Sequence, residues 1–521
     1  MEQKIRCRGT AILAGLTALF LLFFSVCNIP RVIKPLKDWR EGKTDFTGFV
    51  EGVQKSYTDG FVKKNDFINL NGLFARLTGR RYCNTIVRLN NGMLAGGFEK
   101  ADMTVGAEKL TAFDRFLEEL GIPYLYVQPP HKMDLGEELL PEGIDDYGIE
   151  AGDQRLRLLS EAGVDTLDLR EELAGTPERV EASFFKADHH WNYTAAFTAF
   201  QRITERLKLF FPEAAFDEAC TDLSQWEAHT LKDWFLGSQG KRTGVFYGGV
   251  DDLTYYTPRF STEMSCAVPK YCRFTSGSFE DAVIQKLYLD APNYFAENPY
   301  YIYVGGDYPL TQFRNSGAPN DLKVLLLKDS FGIPVIGYLS TAVRELDVID
   351  PRHFTECSIV EYVLRTAPDV VITMANPSQI PVAAFYDMGV EEAMQGELEE
   401  KQVVARIPTM EHPPKENNKW NFQEVATGLK YDTTYLLEFD DVTITHGDTK
   451  AVNVSLIDGE KRLYSGIFDV EYCRENGGFR WYVKTPESGE DALWICLYSG
   501  LAGQTQGIGT TYTGIRLTEL G

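Results

Sequence analysis

The apolar positions of this chain follow three rhythms, and each predicts a different kind of structure. From Gly9 to Pro30 no charged residue occurs, and Leu, Phe, Ala and Val dominate. About 20 apolar residues span a bilayer as a helix, and this stretch is long enough. Next, from about residue 81 to 400, helical periods alternate with short continuous apolar runs. The spacing predicts a strand at 82–89 closing in the Asn91-Gly92 turn, a helix over 105–120 ended by Gly121, and a strand at 122–127. A helix near 153–162 and a strand at 164–169 follow. The alternation resumes with strands at 323–327, 344–349 and 369–374. Helices are expected from Pro334, which suits a first helical turn, and over 358–366. After about residue 400, short half-alternating strands stand between Gly, Asp and Asn, as at 435–439, 452–456, 479–483 and 493–498.

Continuous apolar strands between helices mark a parallel sheet covered on both faces. The expected fold is therefore α/β: a three-layer α/β/α domain over 81–400 with a flavodoxin-like parallel sheet. Residues 212–300, rich in Gly, Tyr and Ser, read as an insertion of loops or an extra small sheet. The strands over 401–521 suggest a jelly-roll β-sandwich, joined through a charged, proline-containing linker around His412-Pro413-Pro414-Lys415. Residues 1–30 read as a signal anchor or transmembrane helix, and the polar, mixed residues 31–80 as a stalk and lead-in. Lys4, Arg6 and Arg8 precede the apolar segment as in a secretory signal, and no good cleavage site follows it. Because long domains translocate largely regardless of flanking charge, the reading is a single-pass membrane protein with its bulk outside the cytoplasm.

Composition narrows the function. The chain has 521 residues, 44% of them hydrophobic, and a formal net charge of −23. A nucleic-acid binder needs clustered positive charge, so that class is excluded. Nine cysteines are present without metal-ligand spacing such as C-x-x-C. Cys266 with Cys272, and Cys473 with Cys496, are placed to form disulfides or to remain buried thiols.

The chemistry concentrates in two places. There are only seven histidines, and two are adjacent in Asp188-His189-His190-Trp191. This run precedes a helix expected from 195 to about 210, capped by Asn192 or Thr194, and α/β sheets place ligands at such junctions. In extended backbone, positions i and i+2 point the same way. Asp188 and His190 are thus expected to converge, with His189 directed elsewhere. A carboxylate that orients an imidazole is what a nucleophile-activating pair requires. A polar helix cap, or a metal site using Asp188, His189 and His190, are the other readings of these residues; the expectation is no metal and no cofactor. The second place is Ser330, in the turn between an apolar strand and a helix, where helix-start N–H groups can face an oxyanion. In the sandwich, Trp481 and Trp494 are candidates for stacking on sugars, or for the core.

The Asp-His-His-Trp run, with the Ser330 turn about 140 residues later, resembles the bacterial DHHW protein family. More distantly it resembles the SGNH-like acetyltransferase domains of alginate O-acetylation proteins. Asn90-Asn91-Gly92-Met93-Leu94, the stretch from Ile122 through Pro129-Pro130-His131-Lys132, and Val324 through Phe331 resemble that group's blocks in order. The resemblance implies an acid, base and nucleophile at Asp188, His190 and Ser330. It implies oxyanion or supporting roles for Gly237, Ser238, Asn376, His189 and Lys132. It also implies an O-acetyltransferase acting on a cell-envelope polysaccharide, supplied by a membrane-bound O-acyltransferase partner. An acetyl esterase with the same triad and a non-catalytic glycan-binding scaffold are the alternatives. One position departs: Lys328 stands where the family block usually has Gly, and its side chain is expected to crowd the serine turn.

Overall fold

The computed structural model describes residues 2–134, 138–376, 383–386, 388–390, 400–476, 478–489 and 491–520. The chain forms two compact units. The first comprises residues 1–84 with 241–249. Its helices are α1 (Glu2–Asn28), α2 (Pro30–Arg40), α3 (Phe46–Gly60) and α4 (Lys64–Leu77). The stretch expected as a stalk is therefore largely helical. Segment 241–249 lies against α4: Val245 N–H donates to Asn69 Oδ1 at 2.9 Å, and Gly72 leaves room for the Thr243 carbonyl. Among the described residues no single helix is long and apolar enough to cross a membrane. Residues 14–28 and 30–40, a helix pair bent by 46°, meet that requirement together.

The second unit, 85–240 with 250–521, holds an α/β body, a two-stranded sheet of Trp226–Phe235 with Asp251–Pro258, a short pair of Ile86–Arg88 with Leu94–Gly96, and two sheets beyond residue 400. The body's strands are β1 (Tyr124–Gln128), β2 (Thr166–Asp168), β3 (Met264–Val268), β4 (Arg273–Gly277), β5 (Leu310–Asn315), β6 (Lys323–Lys328), β7 (Glu345–Ile349) and β8 (Val370–Met374). They lie in the order β2-β1-β8-β6-β7-β5-β3-β4. The first five are parallel. The last three are antiparallel, so the sheet is mixed and not wholly parallel as expected. Two of the three antiparallel strands come from the predicted insertion. β3 is buried along its whole length and extends the main sheet, while Trp226–Phe235 and Asp251–Pro258 of the same insertion pair as the expected extra small sheet.

Side-chain alternation splits the sheet into two faces. Val324 and Leu326 of β6 join one core with α7 (Tyr193–Phe210) and α8 (Gly332–Ala342). Leu325 and Leu327 join the other with α5 (Thr104–Glu119), α6 (Gly148–Glu161) and α9 (Ile359–Thr366). Strands buried on both faces need apolar residues at every position, which is why they read as continuous runs. The predicted strand at 82–89 is broken, because Asn84 and Thr85 adopt positive φ of 51° and 64°. The side chain of Asn192 caps α7 through Ala195 N–H.

From residue 400 the strands form two antiparallel sheets that enclose one core. The first sheet is β9 (Glu400–His412), β17 (Gly509–Leu520), β11 (Thr434–Phe439) and β15 (Phe479–Lys484), with β12 (Asp441–His446) also on β17. The second is β10 (Phe422–Leu429), β16 (Leu493–Tyr498), β13 (Ala451–Asp458) and β14 (Lys461–Asp469). The expected linker at His412 is thus corrected. His412 ends β9 and pairs with Thr510, and the prolines after it turn the chain from one sheet to the other. Trp481 is buried in this core; Gly466 has no side chain where its indole lies. Trp494 is half-buried, its indole N–H on the Gly459 carbonyl at 3.1 Å. Cys266, Cys272, Cys473 and Cys496 are unbridged thiols.

Candidate active site

The Asp188 loop is built from the backbone outward. Phe184 and Trp191 pair as an isolated antiparallel bridge, and Phe185 N–H donates to the His190 carbonyl at 3.3 Å. Residues 186–190 therefore make a tight loop and not the extended strand expected. Asp188 Oδ1 accepts the backbone N–H of His190 at 2.9 Å, an Asx turn. The same oxygen lies 2.5 Å from His190 Nδ1. Convergence of acid and base thus arises from this turn and not from strand alternation.

Three supports hold the loop. Asp251 accepts the N–H groups of Lys186 and Ala187, each at 2.8 Å. Buried Lys132 donates to the carbonyls of Leu94 and Phe185 at 2.7 Å each, and to the carbonyl of Asp188. Burial pushes the Lys132 ammonium down to about 8. On the other side Asp188 Oδ2 accepts the Ser238 N–H at 2.5 Å. Gly237 has φ +66°, and a Cβ there would fall 2.6 Å from Asp188 Cβ, so this close approach requires glycine. Burial alone would raise the Asp188 carboxyl. The two imidazoles and the Ser238 N–H outweigh it and hold the group well below its ordinary value.

The far ring nitrogen of His190 reaches the serine: Nε2 lies 2.7 Å from Ser330 Oγ across 140 positions of sequence. Ser330 retains 9% exposure. The His190 ring stacks on Tyr300 at 4.0 Å, 14° from parallel. The Trp191 indole donates to the Phe331 carbonyl at 2.9 Å, which ties the loop to the serine turn. Asp329 fixes that turn by accepting Phe331 N–H at 2.9 Å and Asn376 N–H at 2.7 Å; burial pushes its carboxyl up to about 6.

Lys328 does not crowd the turn. Its ammonium turns away to Asp307 at 2.5 Å and Asp350 at 3.6 Å, with Arg352 on Asp350 at 2.6 Å. Gly332 provides the space for its stem, since a Cβ there would meet Lys328 Cβ at 2.8 Å. Burial raises the Asp307 carboxyl but Lys328 overcomes it, holding the group at about 2.

The remaining expected site residues divide. Ser238 and Asn376 spend their backbone N–H groups on Asp188 and Asp329, which leaves neither N–H for an oxyanion. Gly237 and Lys132 act on the loop that carries the acid. His189 does not point away as expected: its ring lies 3.8 Å from that of His190, with Nδ1 2.8 Å from Ser238 Oγ. Ligand-type atoms of Asp188, His189 and His190 lie within 4.8 Å of one another. Those of Asp188 and His190 already bond each other, Ser238 and Ser330. Tyr300, Asp251, Asp307 and Trp191 were not assigned a site role by sequence. Of these only Trp191 carried a signal, its place in the run.

One family model matches the chain, described as the SGNH hydrolase-like domain of the acetyltransferase AlgX, over residues 92–229. The SGNH-like resemblance is thereby shown. The matched stretch includes Asp188 and His190, and has the framework of an acyltransferase or esterase; Ser330 lies beyond it. No curated protein matches the chain. Among solved structures, Bacillus cereus PatB1 is 22% identical with a TM-score of 0.49, covering 58% of this chain and 98% of its own. A DHHW family protein from Eubacterium siraeum is 17% identical with a TM-score of 0.45, covering 60% and 96%. Pseudomonas aeruginosa AlgX is 15% identical with a TM-score of 0.34, covering 82% and 94%.

Proposed function

We propose that this chain is an extracytoplasmic O-acetyltransferase that acts on a cell-envelope polysaccharide through Asp188, His190 and Ser330. The observation that carries the reading is the continuous chain of contacts, Asp188 Oδ1 to His190 Nδ1 and His190 Nε2 to Ser330 Oγ. Its spacing is that of a nucleophile and base within proton-transfer reach.

In the first half-reaction His190 Nε2 takes the Ser330 Oγ proton as Oγ attacks the acetyl carbonyl. The tetrahedral adduct collapses, the donor's leaving group departs with the proton from His190, and acetyl-Ser330 remains. In the second half-reaction a sugar hydroxyl loses its proton to His190 and attacks the acetyl carbon. The proton returns to Ser330 Oγ as the sugar ester leaves. Asp188 stays ionised throughout and stabilises the imidazolium. A membrane-bound O-acyltransferase is the proposed source of the acetyl group. The apolar α1 segment is the proposed anchor, with the triad outside the cytoplasm.

The test is an acetyl-ester donor incubated with the purified chain, with and without an envelope oligosaccharide. The transferase reading expects acetylated sugar and reduced free acetate when sugar is present. Acetate release unchanged by sugar would replace the transferase with an esterase using the same triad.

A further inference from the structure

Helices α2 and α3 form a hairpin with two unlike faces. Arg31, Lys34 and Lys55 line a groove on one side, with Pro35 of α2 against Gly52 of α3 and Asp38 as an acidic member. The opposite side is apolar and exposed: Ile29, Ile33 and Leu36 beside or on α2, and Phe46 and Val50 on α3. Trp39 is also exposed and packs between the two helices, 5.3 Å from Phe49 and 5.9 Å from Phe46. Helical spacing alone produces this segregation. Residues 31, 34 and 38 fall on one face of α2, and 29, 33 and 36 on the other, with Arg40 at the C-terminal end of the apolar side.

A large exposed apolar face on a charged chain requires a covering partner. Two features identify that partner. The hairpin directly follows α1, where Leu16, Leu19, Leu21, Leu22, Phe23 and Val26 are themselves exposed, and α2 is bent by 46° from α1. The charge pattern is that of a helix lying in a membrane interface, with Trp and Phe on one face and Lys and Arg on the other. The segment is nearly neutral overall: Arg31, Lys34, Lys37, Arg40, Lys43 and Lys55 stand against Asp38, Glu41, Asp45, Glu51 and Asp59. Glu41 sits near Lys37 and Lys43, and Lys43 also lines the groove; Arg31, Lys34 and Lys55 are the groove cations outside that cluster.

We infer that the α2–α3 hairpin is a membrane-interface element whose apolar face, Ile29, Ile33, Leu36, Trp39, Phe46 and Val50, lies in a phospholipid surface. The inference rests on reading α1 as a membrane segment. Its consequence is that the chain leaves the bilayer along the surface instead of rising from it on a flexible stalk.

The test places the full chain in lipid nanodiscs containing acyl-chain-brominated phosphatidylcholine and reads tryptophan emission. Trp39 is one of seven tryptophans, so its signal is taken as the difference between the wild type and Trp39→Phe. The inference expects a roughly twofold or greater bromine quench of that signal, as for an indole at the acyl boundary. It expects the quench to fall to background in Phe46→Glu/Val50→Glu, while the chain stays with the disc through α1. An unquenched Trp39 in a chain that is retained by the disc overturns the inference, whether the apolar face is then open or covered by a second copy. A chain that does not associate with the discs at all overturns the membrane reading itself.

Discussion

The acid–base loop and the serine turn are each closed by an Asx turn, at Asp188 and at Asp329, but they differ in how many chemical groups one turn brings together. Asp188 and His190 are two residues apart, and their mutual geometry comes from a local Asx turn supported by Lys132, Asp251 and Ser238. Ser330 stands 140 positions away, and its turn depends on residues from several other places: Asn376 after β8, Trp191 before α7, and the Asp307–Lys328–Asp350 cluster. The local device is dense in polar residues and leaves a compact sequence pattern. The distant device is scattered and leaves almost none.

The largest expected effect tests whether the two halves act as one. Ser330→Ala and His190→Ala should each lower acetyl transfer by about 10⁴-fold or more, and the double variant by little beyond either, because groups acting as a unit are non-additive. Steady-state rates would separate the halves if the two losses multiplied. Asp188→Asn should cost about 10³- to 10⁴-fold with the fold intact, since it disturbs the His190 tautomer and removes the charge that stabilises imidazolium.

The next comparison is structural. Lys328→Met leaves Asp307 and Asp350 buried without this cation and should destabilise the unit by about 3–5 kcal/mol in chemical denaturation. The paired variant Lys328→Met/Asp307→Asn should recover part of that loss. A smaller effect follows from pH. Because Asp307 is held at about 2, the unfolded chain takes up a proton near pH 4 that the folded chain refuses. Stability from this group is therefore present above about pH 4 and is lost as pH falls toward 2, amounting to roughly 2–3 kcal/mol. Thermal melts of wild type and Asp307→Asn across that window should converge at the acid end. The smallest effect belongs to His189→Asn: its side chain flanks the dyad without joining the proton path, so the rate should change by less than about tenfold.

These contrasts explain what was legible in the sequence. The body's helices and parallel strands were readable because burial on both faces writes continuous apolar runs. The antiparallel edge was not: Leu310–Asn315 has only two apolar residues, Leu310 and Phe313, three positions apart and without strand alternation, and Met264–Val268 sat within a stretch without helical period. The acid–base pair was legible as residues, though through strand alternation that the loop does not use. Ser330 was legible by its place after β6. Lys328 looked obstructive because its partners, Asp307 and Asp350, and the space at Gly332 are apparent only in three dimensions. Tyr300 lies against His190 without any local signal, since its place depends on how two distant segments pack.

The central claim is that Ser330 is the acceptor of the acetyl group within this triad. Peptide mass spectrometry of the chain, quenched in acid after brief exposure to an acetyl-ester donor, tests it most directly. The account predicts one acetyl group on the peptide bearing Ser330, absent in Ser330→Ala and strongly reduced in His190→Ala. Acetyl transfer to sugar proceeding at the wild-type rate in Ser330→Ala, or a single acetyl group lodged on another residue, would contradict it.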